Sequence, residues 1–307
     1  MKWNELDTFV TVAACLSFSK AAVKLQLTQP AVSKRIQTLE AHLGTTLFDR
    51  LGKRVYLTDA GRLLQPRAEK MLQSLADTER LLQNLNNRIE GVLRLATSHH
   101  VGLHRLAPVL KSFIRGHGTV KLDIRFEDSE AAHELVRRAD CELAVVTLDP
   151  KGGSELEYHP LWNDPLCFVV SEEHPLAGNE QTSLETLARE PVILPGLATY
   201  TGRIVDEVFA AMNVSLQPVM STNYLETISM LVGTGIGWSV LPRSMVHPPT
   251  VALATDAPPM HRTLGIVTHP HRTLSNAGSA FIRVLGRFSD NATGSSSVPR
   301  GTNQVKS

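Results

Sequence analysis

Residues 17–40 constrain the fold of this chain more than any other stretch. They hold two short segments with apolar residues at helical spacing and a tight turn between them, which predicts a helix-turn-helix pair. Thr28 is expected to cap the second helix, and Pro30 falls in its first turn, where a missing backbone N–H leaves no hydrogen bond unmade. Val32, Ile36 and Leu39 then predict one buried face.

The opposite face of the second helix is polar. Amides and a hydroxyl can contact base edges in the major groove of DNA, while cations contact phosphates. The candidate DNA-contacting residues of this pair of helices are Ser19, Gln29, Pro30, Ser33, Lys34, Arg35 and Gln37. An ordinary core hairpin has the same apolar face, so the segment alone leaves both interpretations open.

Linked motifs in a fixed order favour the DNA-binding interpretation. The motifs are Phe18-Ser19-Lys20-Ala21-Ala22, Thr28-Gln29-Pro30-Ala31-Val32-Ser33, Leu39-Glu40 and Leu43-Gly44-Thr45-Thr46-Leu47-Phe48-Asp49-Arg50. Together they resemble the N-terminal winged helix-turn-helix of LysR-type transcriptional regulators. The resemblance is close to about residue 88 and looser to residue 288. It implies a sequence-specific regulator of transcription that is not an enzyme and that has RNA polymerase among its partners.

Composition is compatible with a modular DNA-binding protein. The 307 residues leave room for two or three domains, and 42% hydrophobic with 20% charged residues is ordinary for a globular protein. Residues 1–58 hold eight Lys or Arg and four Asp or Glu, a net charge of +4, whereas the whole chain carries +1. Such asymmetry is typical of a basic DNA-binding unit on a slightly acidic body.

The absence of targeting signals predicts a cytoplasmic protein. No apolar run approaches the ~20 residues that span a bilayer, and the N-terminus has no signal-peptide layout. The cysteines, Cys15, Cys141 and Cys167, are too scattered for a disulfide framework and are expected to be small core residues rather than redox sensors.

A short hairpin is predicted between residues 47 and 57, with a turn that contains Gly52. The cations Arg50, Lys53 and Arg54 fall at its tip and complete the candidate DNA contacts. Such a wing can lie along the phosphate backbone. The alternative is a solvated hairpin tip without a partner.

A long helix is predicted from Asp59, capped by Thr58, to about Arg88. Apolar residues recur in steps of four and three, and a seam this narrow buries little within one chain, so it predicts pairing with a second helix. The candidate dimerisation residues are Leu64, Met71, Leu75, Leu82 and Leu85. The resemblance implies a homodimer through this linker helix, commonly a homotetramer of two dimers, on double-stranded DNA with an interrupted inverted repeat.

Strands and helices alternate from Gly91 onward, which predicts an α/β fold. The predicted domains are 1–58, 59–90, 91–290 and a disordered tail over 291–307, which is rich in Gly, Ser, Thr and Asn. Within 91–290 we expect one lobe over 91–162 and 268–290 and a second over 163–267, joined by crossings near 161–164 and 264–268. The resemblance implies two Rossmann-like lobes, similar to periplasmic binding proteins. The glycines at 233, 235 and 237 predict a turn before a strand rather than a phosphate-binding loop.

Loops that follow strands and precede helices are the candidate effector site, because helix N-termini attract anions. The candidate residues are Thr97, Ser98, His99, His100, Thr147, Thr199, Tyr200, Thr201, Thr222 and Asn223. LysR-type proteins line their effector cleft at such positions, and these side chains suit a carboxylate or a small oxyanion, with added charge from a protonated histidine. The alternative for Ser98, Thr199 and Thr201 is helix capping without a ligand.

Other chemistry has weaker support in the sequence. His100 and His104 have the spacing of metal ligands on a helix, but no acid or thiol lies near them in sequence, so no metal site is expected. Tyr224 and Trp238 are expected to pack in the core rather than to wall an aromatic effector.

An enzyme with the N-terminal unit as a targeting module is the competing interpretation, although no local catalytic motif supports it beyond the cluster at 97–100. A transport receptor would need a signal peptide.

Overall fold

The computed structural model describes residues 1–51, 54–86 and 88–290, without the side chains of Arg50, Leu51, Arg54 and Gln83. Lys53 and the predicted tail over 291–307 lie outside the described residues. The contacts divide the chain into two units at Asn86, so the linker helix belongs to the first unit. The domain boundaries at 58, 90 and 290 stay predictions. Across the described residues, no helix combines the length and apolar character needed to cross a bilayer.

The first unit is a winged helix-turn-helix followed by a long helix, as predicted. Its elements are α1 (Trp3–Cys15), α2 (Phe18–Leu25), α3 (Gln29–Leu43), the antiparallel strands β1 (Phe48–Leu51) and β2 (Arg54–Leu57), and α4 (Asp59–Asn84). Ser17 caps α2 by accepting from the Lys20 amide, and Thr28 caps α3 by accepting from the Ala31 amide. The core contains Phe9, Val12, Ala21, Val32, Ile36, Leu39 and Leu47.

The linker helix α4 begins at Asp59 as predicted but ends earlier than predicted. It ends at Asn84 rather than near Arg88, so Leu85 lies beyond it. Ala68 is fully buried and Leu64 packs beside it on the core of its own unit. Leu64 is thus partly buried against its own unit, and its role in dimerisation stays a prediction. Thr58 does cap the helix, since its Oγ1 accepts from the Gly61 amide at 3.0 Å.

The second unit is an α/β domain. Its elements are β3 (Gly91–Thr97), α5 (His99–Val101), a π-helical turn (Gly102–Leu106), α6 (Ala107–Gly116), β4 (Val120–Phe126), α7 (Ser129–Arg137), β5 (Leu143–Thr147), β6 (Glu157–Ser171), α8 (Leu184–Leu187), β7 (Ile193–Leu194), α9 (Tyr200–Ala210), β8 (Met220–Ser221), α10 (Leu225–Gly233), β9 (Ser239–Pro242), β10 (Thr250–Ala252), β11 (Met260–Thr268) and α11 (Asn276–Gly286). One sheet has the order β10-β6-β11-β5-β3-β4, with β9 also paired to β6.

The predicted crossings near 161–164 and 264–268 both lie in one antiparallel ladder, formed by β6 and β11. β6 and β11 pair from Leu166 opposite Met260 to Glu157 opposite Thr268. Prolines usually indicate turns, so Pro160 and Pro165 gave no sign in the sequence that β6 is one long strand. The register shifts between Leu264 and Gly265, where Pro160 lies opposite, so a β-bulge accommodates a residue that cannot donate to the ladder.

Each lobe has its own core. The first is built around Phe113, Phe281 and Trp162, and the second around Phe168, Phe209 and Trp238. The Trp238 ring stacks on Phe209 at 5.5 Å, and its Nε1 donates to the Leu187 carbonyl. Trp238 is thus a core residue, as predicted. Gly233 ends α10, and Gly235, with φ +83°, lies in the turn that precedes β9.

Candidate functional site

A cavity lies between the lobes, where the carboxyl ends of β3 and β5 face the start of α9. Its lining residues are Ser98, His99, His100, Asp128, Ser129, Glu130, Thr147, Pro195, Thr199, Tyr200, Thr201, Asn223, Leu225 and Arg262. The space open to the centres of water molecules is about 50 Å³, which holds a few waters. Eight of the ten predicted effector residues converge here.

Thr97 and Thr222 are the two predicted residues that do not line the cavity. Thr97 is fully buried, and its hydroxyl donates to the Val145 carbonyl at 2.7 Å, which ties β3 to β5. Thr222 Oγ1 accepts from the Tyr224 amide at 3.4 Å. Both residues were selected for their place in a loop, which does not determine where the side chain points.

The start of α9 is held by capping contacts. Thr199 Oγ1 accepts from the Gly202 amide at 3.0 Å and donates to the Gly196 carbonyl at 2.7 Å, so the capping interpretation applies to Thr199. A Cβ on Gly202 would lie 2.3 Å from the Gly196 oxygen, and this close approach requires glycine. Thr201 differs, because its hydroxyl accepts from Arg262 at 3.1 Å.

Two acidic residues that sequence reasoning missed close the cleft. Glu130 Oε1 accepts from the Tyr200 amide at 2.5 Å, and Asn223 Nδ2 donates to Asp128 Oδ2 at 2.6 Å. Both bonds join one lobe to the other. A usable signal existed, since both acids directly follow the strand β4 and flank the start of α7.

A buried ion pair that includes the lining residue Arg262 also escaped the sequence analysis. Arg262 Nε donates to Asp164 Oδ2 at 2.8 Å, and both side chains are almost fully buried. Among the described residues, Arg262 Nη2 has no hydrogen-bond partner. A buried donor without a partner costs free energy, so it points to a water or ligand in the cavity.

His100 is buried beside this pair. Its Nε2 lies 3.7 Å from Asp164 Oδ2, and its Nδ1 lies 3.9 Å from Glu226 Oε1. Burial, with help from the Arg262 charge, lowers the pKa of His100 to about 2. The imidazole is therefore neutral at physiological pH, so His100 does not supply the positive charge that a protonated histidine would add.

His99 packs at the edge of the cleft. Its ring lies 5.4 Å from Phe126 of the first lobe and 4.7 Å from Tyr224 of the second. A Cβ on Gly102 would lie 2.5 Å from the Phe126 ring, so this glycine leaves the space in which Phe126 reaches His99. Tyr224 is about half exposed, which corrects the expectation that it packs in the core.

The environments of Cys141 and Cys167 do not activate their thiols. Burial raises the pKa of the Cys141 thiol to about 11 and also raises the pKa of Cys167. Both are thiols rather than thiolates at neutral pH, which makes them poor nucleophiles.

The polar face of α3 is open to solvent. Gln29, Lys34 and Gln37 are exposed, and Gln29 Nε2 lies 3.5 Å from Ser33 Oγ. The remaining exposed candidates are Ser19 and Pro30. Arg35 turns back to α1, where Nη1 donates to Thr8 Oγ1 at 3.3 Å, and its contact with DNA stays a prediction. Lys53 and the side chains of Arg50 and Arg54 lie outside the description.

The sequence matches two protein-family descriptions, which together cover most of the chain. Residues 3–62 match the family described as "Bacterial regulatory helix-turn-helix protein, lysR family", and residues 86–289 match "LysR substrate binding domain". The chain belongs to the LysR family of bacterial transcriptional regulators. This LysR-family protein is a DNA-binding regulator with an effector-binding domain, not an enzyme.

Similar proteins extend along nearly the whole LysR-family chain. It is 28% identical to the regulator YybE of Bacillus subtilis over 94% of this chain and 100% of that protein. It is 29% identical to the RuBisCO operon transcriptional regulator of Allochromatium vinosum over 91% and 93%. Its fold is similar to full-length OxyR from Pseudomonas aeruginosa, with a TM-score of 0.67 at 23% identity over 94% and 96%.

Two further solved structures share the fold at lower identity. CbnR in complex with its target DNA has a TM-score of 0.61 at 17% identity and covers 94% of this chain and 100% of that one. The effector-binding domain of QuiR in complex with shikimate has a TM-score of 0.59 at 20% identity over 66% and 98%.

Proposed function

We propose that this regulator acts in the cytoplasm as a dimer or a dimer of dimers on an interrupted inverted repeat. In this proposal a small anion, a carboxylate or an oxyanion, binds between the lobes and changes the geometry of the DNA-bound assembly. The observation that carries the proposal is the convergence of Ser98, Thr147 and Asn223 from separate loops on one cavity.

The preference for an anion is supported by the carboxylate that already accepts a hydrogen bond at the start of α9. The Glu130 carboxylate accepts from the Tyr200 amide there, which is the interaction that a ligand carboxylate would make. The spare Nη2 of Arg262 adds a cationic donor, and the Ser98 and Ser129 side chains also line the cavity. Asp128 and Glu130 oppose a large negative charge, so the proposed effector carries one anionic group.

The size of the cavity supports lobe movement as part of the response. Space for a few waters is narrow for a substituted carboxylate, so in this proposal the lobes separate when it binds. The two bonds that join the lobes, Tyr200 to Glu130 and Asn223 to Asp128, would then break. Effector binding would thereby change the shape of the domain.

The proposed DNA contacts are the exposed side chains of α3. The exposed Gln29 and Gln37 and the half-buried Ser33 follow one another at four-residue spacing, on a different face from the fully buried Val32 and Leu39. The wing cations add contacts to phosphates in this proposal. Pairing along Met71, Leu75 and Leu82 of α4 would present two such helices to one face of the duplex.

Calorimetric titration of the full chain tests the effector proposal. The ligands are small carboxylates that include shikimate, their neutral amides, inorganic phosphate and sulfate. We expect an acid to bind more tightly than its amide, and Ser98→Ala to weaken that binding while the exposed control Ser215→Ala leaves it unchanged. Equal binding of acids and amides, or equal effects of both variants, would contradict an anion site in the cleft.

A further inference from the structure

A second cluster of chemically reactive side chains lies beside the cleft. His104 Nε2 lies 3.0 Å from Glu226 Oε1, and the rings of His100 and His104 are 4.8 Å apart. One donor atom from each of the three residues lies within 4.8 Å of the other two. The acid that the sequence did not show near these histidines comes from α10 of the other lobe.

The state of His100 points to a missing partner at this cluster. Its side chain is 5% exposed, and neither ring nitrogen has a hydrogen-bond partner within the described ranges. Hydrogen-bonded buried polar groups are the rule in folded proteins, so an unpaired imidazole needs an explanation. A ligand that accepts the nitrogen lone pair supplies one.

The surroundings of His100 match those of a metal-binding histidine. Nδ1 faces Glu226 at 3.9 Å, while Nε2 faces the Asp164 carboxylate at 3.7 Å. Histidines that bind metals through one nitrogen commonly direct the other to a carboxylate, which orients the ring. Asp164 thus occupies the outer position, and Nδ1 remains for the ion.

We propose that His100, His104 and Glu226 bind a divalent transition-metal ion of the zinc class between the two lobes. Two imidazoles and one carboxylate form a set that zinc accepts, with the fourth position left for water or another ligand. Bonds of about 2.0–2.2 Å need donors closer together than some of the present distances, so side chains must shift by a fraction of an ångström or more. Imidazole donors select against Mg²⁺ and Ca²⁺.

An ion held this way would connect the lobes. The histidines follow β3 in the first lobe, and Glu226 lies on α10 of the second. Metal binding would therefore favour the closed cleft. That consequence rests on the proposed effector response, whereas binding of the ion does not.

Calorimetric titration of zinc into the metal-stripped full chain tests the site. We expect about one ion per chain and a preference over Mg²⁺. His104→Ala and Glu226→Gln should each weaken binding by more than the roughly 10- to 100-fold that outer-shell changes cause. His247→Ala removes an exposed histidine away from the cluster and should leave affinity unchanged. Cobalt absorption spectra should change in the two ligand variants only.

Circular dichroism and DNA binding of each variant separate loss of a ligand from loss of the fold. No zinc binding by the wild-type chain, or the same affinity in folded His104→Ala, would overturn the proposal and leave His104 and Glu226 as a surface hydrogen bond. Carboxylate binding in the cleft with no zinc binding would overturn this inference alone. Zinc binding without carboxylate binding would overturn only the proposed anionic effector.

Discussion

Replacing one leucine of the linker helix should weaken the dimer. Leu82 is 61% exposed in the single chain, and it belongs to the seam predicted to contact a second copy. Full burial of a leucine side chain is worth about 1.5–3 kcal/mol, so covering this exposed part contributes about 1–2 kcal/mol. Each dimer contains the residue twice, which gives about 2–4 kcal/mol. We therefore expect Leu82→Ala to raise the dimer Kd by roughly 30- to 900-fold.

A matched control exists on the same helix. Leu63 is also 61% exposed, but it points about 100° away from Leu82 around the helix axis. Sedimentation equilibrium of the wild type, Leu82→Ala and Leu63→Ala compares the two faces directly. The seam predicts loss of the dimer for Leu82→Ala only. An unchanged Kd for Leu82→Ala, or an equal increase for Leu63→Ala, would refute the reasoning.

Four further predictions concern the DNA-binding face, the cleft and the core. Gln29→Ala should reduce the preference for the specific site by roughly 1–3 kcal/mol, whereas Lys34→Ala should weaken all sequences alike and reduce the salt slope by about 1, as fluorescence anisotropy can measure. Glu130→Gln removes a negative charge from the cleft and should tighten carboxylate binding in calorimetry; weaker binding would contradict the assigned competition. Burial lowers the pKa of His133, so between that lowered pKa and about pH 6.5 the unfolded chain binds more protons at this site, and stability falls as the pH falls there by up to about 1.4 kcal/mol per pH unit. His133→Gln should flatten that slope in urea unfolding near pH 5.5, and an unchanged slope would argue against a buried neutral ring. Gly202→Ala should lower the free energy of unfolding by about 1–3 kcal/mol, because its Cβ meets a backbone oxygen; wild-type stability would contradict that clash.

Local patterns predicted the parts of the structure that depend on neighbours in sequence. The buried face of α3 follows from the spacing of Val32, Ile36 and Leu39, which are all essentially inaccessible. Ser98 and Thr147 reach the same cavity because parallel strands bring their carboxyl ends to one edge of a sheet.

Residues that depend on pairing between distant segments were not predictable in this way. Arg262 and Asp164 lie within long strands, at positions with no turn, cap or motif to mark them. Glu226 reaches His104 across 122 residues, which spacing along the chain cannot indicate. The packing of Leu64 against its own unit was also not predictable, since heptad spacing does not distinguish a partner chain from the domain's own core.

The most direct test of the account is the affinity of the full chain for the DNA upstream of its own coding sequence. Anisotropy titrations at about 50 mM and about 200 mM salt compare that DNA with a scrambled duplex and with a duplex in which one half-site is replaced. The account predicts tight binding that weakens with salt, exceeds binding to the scrambled duplex and drops when either half-site is lost. Equal affinity for all three duplexes would contradict it.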